Sequence, residues 1–233
     1  MMPRLMGVLA CATCLFAAST KDREAVEGRL DTATAVFSEI MDTPDHGIPR
    51  DLLNKSHCIV IVPSVKKAAF VVGGEYGKGF MSCRRKSDRG WSAPAAIRME
   101  GGSFGFQIGG SATDVVMLVM NDRGAERLMG SQFTLGGEGE IAAGPVGRDT
   151  TAQTDAALTA EILSWSRAKG VFAGISLKGA TLRQDMDDNA ALYGEKVGTR
   201  EVVSPENRKD RVTLTPAGRK LIAALDKVSP VKG

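Results

Sequence analysis

The feature that most constrains the fold is a series of short apolar runs that begins after His57. The run "CIVIVPSV" is apolar and largely β-branched, which is typical of a strand buried on both faces. Further runs of strand character follow at short spacing: "AAFVVGGEYGKGFMSC", "WSAPAAIRME", "DVVMLVMN" and "AEILSWSR". Because helices do not alternate with these runs, they predict an antiparallel sheet curved into a barrel or sandwich.

Glycine and alanine alternate with larger residues in these runs, and the chain contains 27 glycines. Small side chains allow backbones to approach closely and suit a tightly curved sheet. In "GGSFGFQIGG" the large residues alternate with small or polar ones. We therefore expect Phe104, Phe106 and Ile108 to share one buried face of the sheet.

An amphipathic helix is predicted before the sheet, from about Lys21 to Met41. Apolar residues recur there at alternating steps of four and three positions, as a helix with one buried face requires. These residues are Val26, Leu30, Ala33, Phe37 and Ile40. The predicted fold class is therefore α+β: a curved antiparallel β-sheet, barrel- or sandwich-like, with an N-terminal amphipathic helix and short peripheral helices.

The short helices are predicted from their first turns. "PRDLLNK" places Pro49 at a helix start, "DRGAERLMG" begins with Asp122 as its cap, and "DDNAALYG" carries acids where free amides need acceptors. Beyond Val203, "SPENRKDR" indicates a linker. "LTPAGRKLIAALDKV" then indicates a terminal helix that starts at Thr215 and Pro216.

The first residues predict export. "LMGVLACATCLFAAS" is an apolar run of signal-peptide length, too short to span a bilayer at ~1.5 Å per residue, and a polar stretch follows it. Residues 1–19 are predicted to be a signal peptide, residues 20–203 the domain, and residues 204–233 a linker and helical tail. We expect an exported protein that is periplasmic, envelope-associated or secreted. The alternatives are a retained anchor, an incorrect start site, or a lipoprotein modified at Cys11.

The cysteines leave one question open. Cys11 and Cys14 form a CxxC, but they lie in an apolar segment without a βαβ context, which disfavours a redox motif. Cys58 and Cys83 can pair in an oxidising compartment if their strands are neighbours. The alternative is that both remain buried thiols.

Resemblances to catalytic and metal motifs fail in their context. "GGSFG" matches G-x-S-x-G, but a strand follows Ser103 where a nucleophile elbow needs a helix. "DMDDN" starts at Asp185 like a calcium loop, yet Ala190 and Lys196 replace the required glycine and glutamate. The glycine-rich stretches lack the lysine of a phosphate-binding loop, and no paired zinc ligands occur. We therefore predict no enzyme activity, no metal and no cofactor.

Basic residues cluster in predicted turns. With 30 basic and 27 acidic residues the net charge is only +3, which argues against a nucleic-acid partner. If the basic turns converge on one end of a barrel, they form a patch for an anionic headgroup. Otherwise they are an ordinary solvated surface. The candidate lipid-binding residues are Lys66, Lys67, Lys78, Arg84, Arg85 and Lys86, with Phe37 and Ile40 of the N-terminal helix.

The segment "SWSRAKGVFAGISLKGATLRQDMDDNAALYG", residues 164–194, resembles the hallmark of the SYLF lipid-binding family. That family is also described as a Las17-binding or actin-regulator domain, and its pattern is "YSRS-KGLFAGVSLEG", then acids, then "N-ALYG". The N-terminal helix and three further stretches match in order: "CIVIVPSVKKAAFVVGGEYGKG", "GGSFGFQIGGSATDVVMLVMN" and "QFTLGGEGEIAAGPVGRD". Trp165 stands where tyrosine is usual and Lys178 where an acid is frequent. The resemblance covers roughly residues 21–203.

The resemblance implies a non-enzymatic protein. Eukaryotic members bind phosphoinositides through an amphipathic N-terminal helix and basic residues, some fungal members bind actin filaments, and bacterial members are mostly secreted or envelope proteins. It implies here a bacterial secreted or envelope member that binds anionic phospholipid or phosphoinositide headgroups at a membrane surface. The alternative is a structural or protein-interaction domain with incidental lipid affinity. The segment's glycines are then backbone requirements of a curved sheet, and its aspartates cap a helix.

Overall fold

In a computed structural model, residues 9–43, 47–69, 72–85, 90–104, 111–145, 160–168, 171–175, 177–204 and 212–229 are described. The helices in these ranges are α1 (Leu9–Asp42), α2 (Arg50–Lys55), α3 (Asp122–Leu128), α4 (Met186–Tyr193), α5 (Thr199–Val203) and α6 (Pro216–Val228). The strands are β1 (Cys58–Ala69), β2 (Val72–Cys83), β3 (Ala95–Phe104), β4 (Ser111–Val119), β5 (Gln132–Thr134), β6 (Ile141–Ala143), β7 (Ile162–Ala168), β8 (Val171–Gly174) and β9 (Thr181–Gln184).

The strands form one strongly curled sheet, a half barrel, in the order β5-β9-β3-β2-β1-β4-β7-β6, with β8 also paired to β7. Among the described strand pairs only β6 and β7 run parallel. Strands β1, β2 and β3 pair in sequence order as antiparallel neighbours, and β4 pairs with the other side of β1. The predicted α+β class with a curved antiparallel sheet is confirmed.

Both faces of the central strands are buried, as the run "CIVIVPSV" predicts. Ile59 and Ile61 pack into a cluster with the apolar side chains of α1, α2 and α6, and we call this side of the sheet the helix face. Val60 and Val62 point the other way, into a cluster with Phe133 and residues of α3 and α5. Because successive strand residues alternate sides, a strand with apolar residues at every position is consistent with this two-sided burial.

Helix α1 lies on the helix face with the predicted apolar stripe against the sheet. Val26 is 3% exposed and the other four stripe residues are fully buried. The helix begins at Leu9 rather than near Lys21, because the preceding alanine- and leucine-containing run also favours helix. It packs beside α6, whose Leu221 and Leu225 are buried in the same cluster. In the described part of the chain, no helix is both long and apolar enough to cross a membrane.

A bulge in β1 corrects one prediction. The pairing register of β1 shifts between Val62 and Val65, and Ser64 takes the left-handed φ of 52°. Its backbone amide donates to Oδ1 of Asp114 at 2.9 Å. The bulge lets the strand continue past Pro63, so Lys66 lies in β1 and not in the predicted turn.

Two further predictions meet the structure with different outcomes. Cys58 and Cys83 lie directly opposite each other on β1 and β2 and form a disulfide, which settles the open alternative. The cap of α3 is Asn121, whose side chain accepts from the Gly124 amide, and not Asp122, because the helix starts one residue earlier than predicted. The predicted shared face of Phe104, Phe106 and Ile108 falls outside the described residues.

Candidate functional site

The polar side chains at the start of the family-like segment hold neighbouring backbone. Ser164 is fully buried, and its hydroxyl donates to the carbonyl of Ile175 at 2.6 Å. The Trp165 indole, also fully buried, donates through Nε1 to the carbonyl of Pro145 at 3.0 Å. A Cβ on Gly174 would lie 2.1 Å from the carbonyl oxygen of Gly144, so only glycine fits this close approach.

Helix α4 is fastened to the edge of β3 by its own polar residues. Asp185 caps the helix by accepting from the Asp188 amide at 3.1 Å. The buried Asn189 accepts from the Ala96 amide at 2.7 Å and donates to the carbonyl of Val197 at 2.9 Å. The prediction that aspartates cap a short helix is confirmed for Asp185, whereas Asp187 and Asp188 lie in the first turn of the helix.

The end of α4 is fastened in the same way. The Tyr193 hydroxyl donates to the carbonyl of Pro94, and burial raises the pKa of this phenol well above its ordinary value. Gly194 then ends the helix with a left-handed φ of 81°, which favours glycine. The "N-ALYG" ending therefore serves to anchor α4.

A charge network joins α4 to β2 and α1. Lys78 Nζ lies 2.8 Å from Oδ2 of Asp185 and 2.9 Å from Oδ1 of Asp188. Arg29 of α1 adds a bond of 2.5 Å to Oδ2 of Asp188. Burial alone would lower the pKa of Lys78, but the hydrogen bonds and charges of the two aspartates outweigh it and raise that pKa. Lys78, a candidate lipid-binding residue, is thus engaged within the fold.

Arg84, a second candidate, is also engaged. Its guanidinium donates to the carbonyls of Leu53 at 3.0 Å and Ser56 at 3.2 Å, and it stacks over Trp91 at 4.3 Å. It also bonds the Ser229 hydroxyl and carbonyl at the end of α6. Burial lowers the pKa of Arg84 from its ordinary value, partly offset by the charge of Asp226. Arg84 therefore ties β2 to α2 and α6.

The remaining candidates are placed differently. Phe37 and Ile40 lie on the face of α1 that packs against the sheet and are fully buried, so neither side chain faces solvent. Arg85 is half-buried, while Lys86 and the side chain of Lys67 fall outside the described residues. Lys66 is exposed and has no ion-pair partner among the described residues.

The two basic clusters do not converge. Cys58 pairs with Cys83, so Arg84 and Arg85 follow at the end of the sheet where β1 starts. Lys66 pairs with Tyr76 eight residues along β1, roughly 25 Å away at ~3.3 Å per residue. A joint basic patch, the condition for the predicted headgroup site, is therefore absent from the described residues. The sequence could not reveal this, because it does not show the hairpin register.

The end of the sheet near Lys66 exposes two large apolar residues that the sequence analysis missed. Tyr76 is 46% exposed and lies directly across from Lys66, while Val171 is 67% exposed at the start of β8. We call the exposed described residues at this end the rim: Ser64, Lys66, Gly74, Tyr76, Ala112, Ala168 and Val171. The sequence of β2 does not mark Tyr76, because the exposure of this side chain depends on where the helices of the assembled domain stop.

The rim differs in chemistry from a catalytic or metal site. Apart from Lys66 and Tyr76, its described members are small or aliphatic. The described residues also contain no group of three side chains that could hold a metal ion. The tyrosine ring, the valine side chain and the lysine of the rim are instead suited to contact a surface that combines apolar groups with negative charge.

Comparison with known proteins gives a consistent set of relatives. A family profile described as "Ysc84: Las17-binding protein actin regulator" matches residues 100–228, more than half of the chain. The matched range includes α6, which the sequence analysis placed in a tail beyond the domain.

The similar proteins come from fungi and animals. "Protein YSC84" of Saccharomyces cerevisiae is 33% identical over 187 residues, which is 78% of this chain and 38% of that protein. "SH3 domain-containing YSC84-like protein 1" of Mus musculus is 33% identical over 170 residues, 72% of this chain and 49% of that protein. "LAS seventeen-binding protein 3" of Saccharomyces cerevisiae is 34% identical over 165 residues, 69% and 35% of the two chains. The chain thus spans half or less of the length of these curated relatives.

Proposed function

This chain belongs to the Ysc84 family of Las17-binding actin regulators, and we propose that it is a non-enzymatic module that binds anionic phospholipid or phosphoinositide headgroups at a membrane surface. The observation that carries the proposal is the pairing of Lys66 with Tyr76: an exposed lysine without an acidic partner in the described ranges, beside an exposed aromatic ring. A basic residue near an anionic membrane contributes about 1 kcal/mol.

The role of the family-like segment supports a binding rather than a catalytic function. Its polar groups Ser164, Asn189 and Tyr193 bond to backbone atoms, and Asp185 and Asp188 pair with Lys78. Groups held in this way shape the domain and do not act on a substrate. The surface that is left for a partner is then the exposed part of the sheet.

The position of α1 limits how the membrane is contacted. Insertion of Phe37 and Ile40 into a bilayer would require α1 to leave the sheet and to break its ion pairs with Asp188, Arg167 and Lys220. The rim needs no such rearrangement. The proposal therefore places first contact on Lys66 and its neighbours and leaves α1 docked.

The disulfide supports export. Structural disulfides persist in oxidising compartments and are rare in the cytosol, and Cys58 and Cys83 form one in the sheet. We propose that the protein is periplasmic, envelope-associated or secreted, and that residues 1–19 are removed. Intact mass should place the mature start between Ser19 and Lys21. A start at Cys11 with added acyl mass would indicate a lipoprotein, and an intact translation product would exclude cleavage.

A protein-interaction role is the second candidate. It is favoured by the family description, which names binding to a protein, Las17, and regulation of actin. In this alternative the rim would contact a protein surface, and its lipid affinity would be incidental.

Sedimentation with vesicles separates the two. We expect the mature protein to pellet with phosphatidylcholine vesicles that contain phosphatidylglycerol, and to pellet far less with phosphatidylcholine alone. Lys66→Glu should weaken pelleting, whereas Lys66→Arg should not. Lys55→Glu, an exposed position on α2 at the other end of the sheet, is the matched control. If the parent pellets with neither vesicle, lipid binding is refuted and the protein-interaction role takes its place.

A further inference from the structure

We infer that the rim is the membrane-facing end of the domain, so that the sheet stands on the bilayer by its Lys66 end with the Cys58–Cys83 disulfide directed away from it. The inference rests on the proposed function and adds the surface and the orientation. It differs from insertion of α1, because every residue that it uses is already exposed.

The two exposed apolar residues of the rim, Tyr76 and Val171, lie within about one residue of the same height along the strands, and Tyr76 is level with its partner Lys66. Asp114 pairs with Arg167, which pairs with Phe172 on β8. Val171 is one residue beyond that row, and Ala112, the partner of Lys66, is two residues beyond it. The heights of Val171 and Lys66 therefore differ by about one residue, or ~3.3 Å.

These residues also come from separate parts of the sheet and from both of its sides. Tyr76 lies two residues from Lys78 and four from Phe80, on the helix face. Val171 precedes Phe172, which packs into the helix-face cluster, so Val171 points to the other side. Exposed apolar groups on both sides of one edge suit a surface that meets the sheet end-on, not a partner that covers one face.

Exposed large apolar side chains are otherwise scarce. The described residues contain three of them, and the third, Met186, is 38% exposed at the start of α4, away from the rim. Two of the three thus mark one edge. Single exposed apolar residues are normal on soluble proteins, but grouping at one edge is typical of a binding surface.

The charges near the rim fit an anionic surface. Glu100, the cross-strand partner of Tyr76, accepts from Arg98 at 2.8 Å and from Arg183 at 3.0 Å. Asp114 accepts from Arg167 at 2.7 Å. These carboxylates are neutralised by arginines, whereas Lys66 has no such partner in the described chain. An anionic headgroup therefore meets, at this edge, a lysine that has no acidic partner among the described residues, while Glu100 and Asp114 are each paired with arginine.

Depth-dependent quenching tests the orientation directly. We would introduce tryptophan at one position at a time (Val171→Trp, Tyr76→Trp and, as control, Glu126→Trp on α3, which is 63% exposed) and add vesicles of phosphatidylcholine and phosphatidylglycerol with brominated acyl chains. The native Trp91 and Trp165 are buried and give the background. We expect quenching at positions 171 and 76 above that background, and none at position 126.

A charge substitution gives a second, independent readout. Val171→Asp should lower vesicle partitioning about tenfold, the factor expected when one valine-sized side chain no longer enters an apolar phase. Met186→Asp, which makes the same kind of change away from the rim, should leave partitioning unchanged. Circular dichroism checks that both variants fold, which their exposure favours.

The outcomes separate the inference from the proposed function. If the parent binds vesicles but quenching occurs only at position 126 or at none of the three, the domain docks by another surface and the inference is wrong while lipid binding stands. Equal partitioning of Val171→Asp and the parent contradicts it in the same way. If the parent binds no vesicle, the inference and the proposed function are both refuted.

Discussion

The two ends of the sheet are built from opposite kinds of contact. At the disulfide end, Cys58 and Cys83 are covalently joined, and Arg84 bonds backbone carbonyls of α2 and the end of α6. At the rim, Lys66, Tyr76 and Val171 face solvent with few constraints. The difference indicates that the contacts that stabilise the fold are concentrated at the disulfide end. The side chains of the rim contribute less to stability and are therefore available to contact a partner.

Removing the disulfide should give the largest effect. The bond closes a loop with a sequence separation of 25 residues, which corresponds to about 3–4 kcal/mol of stabilisation in the chain-entropy model. The double variant Cys58→Ala, Cys83→Ala should lose about that much free energy of unfolding in urea titrations. The parent under reducing conditions is the control and should lose a similar amount. A loss below about 1 kcal/mol would mean that this end is not the stable one.

Arg84→Ala should come next. It removes charge-assisted hydrogen bonds to several backbone carbonyls and the stacking on Trp91, at a cost of about 2–3 kcal/mol. Arg84→Lys should recover only part of this loss, because an ammonium group cannot reproduce the planar fork. The measurement is again the unfolding free energy. If Arg84→Ala leaves the unfolding free energy unchanged, the guanidinium is dispensable for stability, and Arg84 would return to the set of lipid-binding candidates.

Alkaline pH should loosen the attachment of α4. Burial raises the pKa of Tyr193, so the folded state keeps this phenol neutral while the unfolded chain ionises above 10.0. Lys78 also has a raised pKa, so its stabilisation is present below 10.5 and is lost as pH rises through the folded value. Because both groups have a higher pKa in the folded state than in the unfolded chain, both predict that the free energy of unfolding falls above about pH 10.

The variant Tyr193→Phe separates the two contributions. It should cost about 1 kcal/mol at neutral pH, because the bond to the Pro94 carbonyl is lost, and it should weaken the alkaline decline. Unfolding free energies at neutral pH and at pH about 11 measure both effects. If parent and variant decline equally, Tyr193 ionisation does not drive the transition.

The rim should show the smallest effect on stability. Lys66→Ala, Tyr76→Ser and Val171→Ser alter exposed side chains, and each should change the unfolding free energy by less than about 0.5 kcal/mol. Thermal unfolding in the absence of lipid is sufficient to measure this. A loss above about 1 kcal/mol at any of the three would assign that residue to the fold and weaken the contrast between the two ends.

Most helices and strands could be predicted from the sequence, because the spacing of apolar residues indicates both the type of element and the face that is buried. The stripe from Val26 to Ile40 was predicted and is the buried face of α1, and α6 starts at Pro216 with Thr215 as its cap, which agrees with the predicted start at Thr215 and Pro216. The turn assigned to Lys66 was wrong, because a left-handed Ser64 absorbs the break that Pro63 signals. A bulge of this kind depends on the partner strands, here through Asp114, and has no local signature.

The site was less readable than the fold. Arg84 reads as one of three basic residues in a turn, yet its partners Ser56 and Ser229 lie 28 and 145 positions away in the chain. The exposure of Tyr76 and Val171 depends on where helices and neighbouring strands end, which only the assembled sheet shows. The sequence shows that basic residues are present, but the pairing register of the strands determines which of them lie on the same surface.

The placement of α1 beside α6 has a consequence for the order of folding. Asp31 and Lys220, which join the two helices, are separated by 189 positions, and both helices bury their apolar residues in one cluster. Contacts of such long range form late, since the intervening chain must first be organised. During synthesis the first helix therefore emerges without its neighbour and gains full cover only after α6 has left the ribosome. In the interval its apolar stripe is a natural target for chaperones that hold unfolded chains.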